Sequence, residues 1–481
     1  MRIAFGTSEL SPHAQVGGLG DVSRWLPARL AAGGDDVAVF VPHYDVLDPR
    51  DEPVRPVPGL EAVPVGPFGE VSVATLGEPA AGRPTVYLVG SPIWFERGAV
   101  YDSAPDGHLR FGALTAAIPA VCRRLGWVPD VWHANDWHTS LVAFYAAAAG
   151  EPWAGVPSVL TLHNLAFQGV FPTGDVGRMG LSAVADRLDP ADLLDGWVNS
   201  LRNGIAAATM VTTVSPTYAR EITTPAGGMA LDAALRAKGD RLVGILNGIG
   251  DDWDPASDPH IPERYGPGTI ERKAASTIAL RAALGLLERP GVPIAGIVSR
   301  LTGQKGFDLL RATLPPLLGT ARVQLAVIGT GDPAYEALFA DLARRFPGEA
   351  AYVADFSPPI AHLIEAGSDL FLMPSQFEPS GLNQMYSMRY GTVPIVRRTG
   401  GLADSVLPWN PATGIGTGFV FEEFDDGAFA AALGEALAVH GDRVAWRRLQ
   451  MNGMTEDFSW DRRAGEYRAV YRRAVEAGAG P

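Results

Sequence analysis

Short apolar runs, each closed by a polar or glycine-containing turn and followed by a helical stretch, recur in two successive series along this chain. No other feature limits its fold as tightly. Such alternation specifies parallel strands joined by helical crossovers. The first series places strands over residues 2–5, 37–41, 86–89, 131–133, 159–163, 211–214 and 243–246. Helices are predicted over 21–32, 112–125 and 197–208. After the Asn247-Gly248 turn a second series places strands at 294–298, 323–328, 351–353, 369–373 and 393–396. Its helices are predicted over 305–318, 335–346, 361–366 and 381–390.

The fold class that follows is α/β, with two doubly wound, Rossmann-like domains. The expected boundaries are 1–250 for the first domain and 251–457 for the second. A terminal segment, 458–481, carries an amphipathic helix over 460–475 with Tyr467 and Tyr471 on one face. The Asp/Pro-rich stretch 251–262 is the expected hinge. Two such domains facing one another would enclose a cleft, and in open α/β sheets ligands bind at the C-terminal ends of the strands.

A length of 481 residues is too great for one ordinary core, which agrees with this division. The formal net charge of −14 argues against bulk nucleic acid or an anionic membrane surface as a partner. Cys122 is the single cysteine, so neither a disulfide framework nor a thiolate zinc site is expected; its setting reads as the buried side of a helix. No apolar run reaches the length that spans a bilayer, and the first residues enter a strand without a signal-peptide core. A soluble, cytoplasmic protein is the expectation.

Six segments carry chemistry. The first, Ser8 to Val22, holds Gly17, Gly18 and Gly20 between a strand and a helix. Such a loop brings backbone N–H groups close to phosphate oxygens, or is a tight turn with no ligand. The second, HANDWH at 133–138, and the third, TLHNL at 161–165, set polar and titratable groups at strand ends. In the fourth, Ser299 to Gly306, a turn holds Arg300 and Lys305 five residues apart. That pair suits a diphosphate, the guanidinium forking onto two oxygens and the ammonium acting as a point charge. The fifth, Pro374 to Gln384, sets Glu378 ahead of a helix that Gly381 is predicted to open, where free N–H groups could hold phosphate. The sixth, Arg397 to Asp404, is another basic, glycine-containing turn.

Two patterns point elsewhere. Asp252-Trp253-Asp254 matches a metal-binding D-x-D pattern but falls in the expected hinge and reads as loop. Gly329 to Ala334 fits a dinucleotide fingerprint, yet Asp332-Pro333 is unlike the usual first turn. No cluster at metal-ligand spacing accompanies the histidines, so no metal is expected.

Taken in order, these segments resemble the bacterial glycogen synthases and plant starch synthases, retaining glucosyltransferases of glycosyltransferase family 5 with a GT-B fold. The resemblance rests on HANDWH (133–138), TLHNLAFQG (161–169), VSPTYAREI (214–222), LNGI (246–249), SRLTGQKG (299–306), the run from 374 to 404, TGFVFE (417–422) and FSW (458–460). It implies transfer of glucose from a nucleotide-glucose donor, first of all ADP-glucose, to the non-reducing end of an α-1,4-glucan. Configuration is retained, with no metal or other cofactor. A related transferase using another nucleotide sugar, such as UDP-glucose, or making a small sugar product, is the alternative.

The resemblance also implies residue roles. Glu378, His163, Asp136 and Asp21 would form the catalytic set, with the His163 carbonyl near the anomeric carbon. Arg300, Lys305, Gly17, Gly18, Gly381, Leu382 and Asn383 would hold the donor phosphates. Phe356, Asp355, Gln15 and Asn247 would line the nucleotide base and sugar. The final helix would cross back to the N-terminal domain. Departures from the family pattern concentrate near the donor: Gln15 stands where Lys is usual, Asp355 where Gly is usual, Ser380 for Cys and Asn383 for Thr. Partners implied are a glucan primer and a nucleotide sugar.

Overall fold

The computed structural model describes residues 1–478. The chain forms two compact units. Unit 1 runs from Met1 to Gly248 and takes in the final helix from Trp460; unit 2 is Ile249–Ser459.

In unit 1 the strands are β1 (Arg2–Gly6), β2 (Asp36–Pro42), β3 (Val54–Pro56), β4 (Val63–Pro64), β5 (Glu70–Leu76) and β6 (Thr85–Gly90). They continue with β7 (Val131–Asn135), β8 (Ser158–Leu162), β9 (Val170–Pro172), β10 (Trp197–Asn199), β11 (Met210–Thr213) and β12 (Leu242–Gly244). The main sheet has the order β12-β11-β8-β7-β1-β2-β6-β5-β3, with β4 beside β5. From the β12 edge through to β6 it is parallel. The β3, β4 and β5 strands pair antiparallel and extend one edge.

Alternation of side chains across the central strands builds two cores. Ile3 and Phe5 of β1, with Val37 and Val39 of β2, face the first helix, Gly18–Ala32, and the final helix, Trp460–Gly478. Ala4, Ala38, Phe40, Trp132 and Leu160 face the other way, onto Gly107–Leu125 and its neighbours. Cys122 lies on the buried side of that helix, as expected. Several polar contacts pin the final helix, three of them close to the sheet and the first helix. The Tyr471 hydroxyl meets His133 Nδ1 at 2.7 Å, Arg468 Nε donates to Asp35 at 2.7 Å, and Arg468 Nη2 donates to the Leu30 carbonyl at 2.8 Å.

Unit 2 holds β13 (Ile294–Val298), β14 (Gln324–Ile328), β15 (Ala350–Val353), β16 (Leu370–Met373), β17 (Val393–Arg397) and β18 (Phe419–Phe421). All pair in parallel, in the order β15-β14-β13-β16-β17-β18.

Three expectations need correction. Residues 197–199 are strand, not helix: Trp197–Asn199 pairs with Val170–Pro172, and the helix begins at Ser200, capped by Asn199 accepting from Arg202 N. The first sheet is not wholly parallel, because its β3–β5 edge is built from hairpins. The stretch 251–262 is not a free hinge. Trp253 is sandwiched between His362 (ring centroids 3.8 Å apart) and Tyr386 (4.1 Å), and Asp258 accepts from Tyr390 and pairs with His362 Nδ1. Both crossings into unit 2 sit side by side at its edge, where Ile249 N donates to the Phe458 carbonyl at 2.9 Å. The dinucleotide-like turn is a helix cap, with Asp332 accepting from Ala334 N ahead of Pro333–Arg345.

Among the described residues no helix is long and apolar enough to cross a membrane. Tyr471→Phe should leave the buried His133 Nδ1 unpaired and cost about 1–3 kcal/mol. A thermal midpoint lowered by several degrees would show it, and an unchanged midpoint would mean that this contact does not hold the helix.

Candidate active site

In unit 1 the strand ends of β1, β7 and β8 are neighbours, so their following loops gather at one edge. After β1 the chain turns through the glycine loop into the first helix. The organiser of that loop is Glu9, 4% exposed. Its Oε2 accepts from Val16 N and Gly17 N, each at 2.8 Å, and its Oε1 accepts from the Tyr101 hydroxyl at 2.7 Å. The Gly17 N–H, expected to reach phosphate, is therefore committed to a carboxylate of the same chain. Gly18 begins the helix and is exposed. Gln15 lies on the surface and its amide donates to Asp21 Oδ2 at 3.0 Å and to the Gly17 carbonyl at 3.3 Å.

Asp136, directly after β7, has φ +51, a left-handed conformation costly for a residue with a Cβ. The turn directs its carboxyl at the neighbouring strand end. Oδ1 accepts from His163 N at 2.7 Å and more weakly from Asn164 N at 3.4 Å. Burial pushes this carboxyl up to about 7, against the pull of those two N–H groups. The His163 ring contacts Asn135 Oδ1 through Nε2 at 3.0 Å, and burial holds its pKa down to about 3, so it is neutral. The other two histidines of the HANDWH segment do not join them. His133 is tied to Tyr471 and Thr161, while His138 packs among Tyr101, Phe111 and Trp137. Asn247, one residue before the first segment of unit 1 closes at Gly248, is 4% exposed, and its buried Oδ1 has no partner among the described residues.

In unit 2 the gathering strands are β13, β16 and β17, again neighbours. Lys305 Nζ donates to Glu378 Oε2 at 2.6 Å, and Ser375 Oγ donates to the same oxygen at 3.1 Å. Glu378 Oε1 makes no hydrogen bond to any described residue. The Arg300 guanidinium is exposed and likewise unpaired among the described residues. Lys305 is thus shared with Glu378 rather than left for a diphosphate alone.

Two glycines permit the closeness. Gly306 has φ +70, and a Cβ there would fall 2.1 Å from the Pro374 carbonyl oxygen. Gly400 has φ +42, and its Cβ would fall 2.0 Å from that of Glu378. The Glu378 carbonyl also accepts from Gly401 N at 3.0 Å.

The helix after Glu378 begins at Asn383, not Gly381. Gly381 is a left-handed turn residue (φ +69), and Leu382 is the cap position. Asn383 turns its amide to the buried Glu365 at 3.1 Å. Arg397 and Arg398 of the sixth segment are spent on the Gln376 carbonyl and on Glu422. Phe356 is 78% exposed beside Asp355, whose Oδ1 accepts from Phe356 N. Among the described residues no group of three or more His, Cys, Asp or Glu side chains could hold a metal ion.

Residues 2–237 match the starch synthase catalytic domain family, and residues 285–448 match the glycosyl transferases group 1 family. The chain is 45% identical over 486 residues to the glycogen synthase of Anaeromyxobacter dehalogenans (strain 2CP-C), covering 98% of this chain and 99% of that one. It belongs to the glycogen synthase family. The glycogen synthase of Aromatoleum aromaticum is 42% identical, over 98% of this chain and 96% of its own. Among solved structures, the catalytic domain of starch synthase IV from Arabidopsis thaliana, bound to ADP and acarbose, superposes with a TM-score of 0.90. That protein is 31% identical over 99% of both chains. Sucrose-phosphate synthase from Thermosynechococcus elongatus shares the fold, with a TM-score of 0.63 at 18% identity over 99% of both chains. The family's GT-B fold and glucosyltransferase activity apply to this chain.

Sequence reasoning passed over Glu9 and Asn135. Glu9 was legible as the one acidic residue between the first strand and the glycines. Glu9→Ala should free the glycine loop from its anchor and lower kcat/KM for glucosyl transfer by about tenfold or more, since two charge-assisted bonds at roughly 1.5–3 kcal/mol each are lost. Glu9→Gln keeps one accepting oxygen and should fall between. Equal rates for Glu9→Ala and wild type would show that the loop needs no anchor.

Proposed function

We propose that this glycogen synthase family member elongates an α-1,4-glucan at its non-reducing end, taking glucose from a nucleotide-glucose donor, first of all ADP-glucose, with retention of configuration. The observation that carries the reading is the Arg300, Lys305 and Glu378 constellation at the ends of β13 and β16. It combines an unpaired guanidinium, a lysine ammonium and a carboxylate with one open oxygen. The likeness to a starch synthase solved with ADP and acarbose supports the same substrates.

Arg300 forks onto the diphosphate and Lys305 reaches it from the Glu378 carboxylate, so charge building on the leaving group is met by two cations. Glu378 Oε1 accepts from a donor-sugar hydroxyl. The Gly381, Leu382 and Asn383 turn offers N–H groups to phosphate, and the exposed Phe356 ring offers a stacking face to the base. On unit 1, Gly18 N–H and the helix behind it favour an anion. The Asp136 carboxyl fixes the strand end that presents the His163 carbonyl to the anomeric centre. Asp21, held by Gln15, and Asn247 with its unpartnered Oδ1 serve the sugar side. No metal or other cofactor is needed for this chemistry, because the two cations do a metal's electrostatic work. Turnover in excess EDTA should therefore equal turnover with magnesium, and a strict divalent requirement would contradict this.

A different donor is favoured by one observation. The Gln15 amide is neutral and occupied by Asp21, so the charge a lysine would bring to the donor is missing. A panel of ADP-, UDP- and GDP-glucose with a glycogen primer decides between donors. Digestion of the product by an α-1,4-specific glucanase reads the linkage and its configuration. Glu378→Gln should lower kcat roughly 100- to 1,000-fold with folding retained; a loss under about threefold would remove Glu378 from the reacting centre.

A further inference from the structure

The amide of Asn135 sits at the end of β7, between the ends of β1 and β8, and is completely buried. Its Nδ2 donates to the Gly6 carbonyl at 2.9 Å. A backbone carbonyl only accepts, so the amide nitrogen must lie on that side. The amide oxygen is then left facing His163 Nε2 at 3.0 Å. That oxygen also only accepts, so the hydrogen of the ring is on Nε2. A neutral imidazole carries one such hydrogen, and its Nδ1 holds a lone pair. Nδ1 makes no hydrogen bond to any described residue, and the His163 ring is partly open to solvent while the Asn135 side is closed.

The surroundings admit no easy escape from this arrangement. Asn135 N donates to Thr139 Oγ1 at 2.7 Å, which fixes the backbone that carries the amide. The Asp136 carboxyl accepts from His163 N at 2.7 Å, which fixes the backbone that carries the ring. Burial keeps the ring neutral, so protonation does not turn Nδ1 into a donor.

We infer that Asn135 is a positioning residue that locks His163 as the Nε2–H tautomer, so that Nδ1 serves as a hydrogen-bond acceptor reserved for a hydroxyl of the transferred sugar. The inference rests on the proposed function for its sugar ligand but not for its tautomer. The lone pair accepts from a hydroxyl and repels a fully ionised phosphate oxygen. The lock therefore sorts the two ends of a nucleotide sugar at this position, drawing the sugar and turning away the diphosphate.

The test has two arms. In the first, full-length protein labelled with 15N-histidine is read by long-range 1H–15N correlation, with the His163 signals identified by their loss in His163→Ala. Wild type should show His163 protonated on Nε2. Asn135→Ala should mix the two tautomers, while Asn135→Asp, which keeps an accepting oxygen toward Nε2, should retain the first. A wild-type ring protonated on Nδ1 overturns the inference without any variant, and so does an Asn135→Ala ring that stays wholly Nε2–H.

In the second arm, donor analogues each lacking one sugar hydroxyl are compared in wild type and Asn135→Ala. For one analogue the wild-type loss in kcat/KM should be about tenfold or more and should shrink to below about threefold in the variant, the non-additivity expected of groups acting through one contact. The same loss in both proteins for every analogue overturns the role of Nδ1 while leaving the glucosyl donor reading intact. Absence of transfer from any nucleotide sugar would instead count against that reading, and the first arm would still decide the tautomer.

Discussion

Parallel pairing dictates where chemistry can gather in this protein. A parallel strand cannot return by a tight turn, so each crossover leaves from the C-terminal edge of the sheet and the loops at that edge crowd together. Each unit uses its central strands for this purpose. In unit 1 the loops after β1, β7 and β8 bring Glu9, Asp136 and His163 to one edge. In unit 2 the loops after β13, β16 and β17 bring Lys305, Glu378 and Gly400 to another. The antiparallel β3–β5 extension of unit 1 lies at the far side of β6 and contributes none of these residues.

Carboxylates do most of the anchoring at these edges, which is notable in a chain with net charge −14. Glu9 fills two backbone N–H groups of the glycine loop, Asp136 takes the His163 N–H, and Glu378 takes Lys305. Donors that would otherwise attract any passing anion are thus satisfied internally. Lys305 is held by a built-in carboxylate, whereas Arg300 has no partner among the described residues.

The sequence carried the alternation of strands and helices because buried parallel strands are nearly continuous apolar runs, and it carried most of the candidate residues at the strand ends because such motifs are local. What it hid was decided by tertiary contact. Val170–Pro172 and Trp197–Asn199 are three-residue strands, too short to show a period, and they exist because they pair with each other. The Asp/Pro-rich residues 251–262 read as a linker by composition, yet Trp253 and Asp258 find ring and hydroxyl partners more than a hundred residues away. Gly381 looked like a helix opener because glycine followed by helix formers fits that pattern, whereas its left-handed φ moves the start to Asn383. Lys305 and Glu378 were each legible, but not that they would hold one another.

The final helix also sets an order of events during synthesis. Unit 1 is interrupted by the whole of unit 2, and residues from 460 onward complete the face of its sheet formed by Ile3, Phe5, Val37 and Val39. On a ribosome adding residues from the N-terminus, that face waits uncovered on this side of the first helix while more than two hundred intervening residues are made. Unit 2 can reach its own fold first, since both its ends lie side by side and its main core cluster is built from residues within Ile249–Ser459. The last helix then acts as a clasp, and a nascent or truncated chain lacking it presents an apolar sheet face for other chains to find.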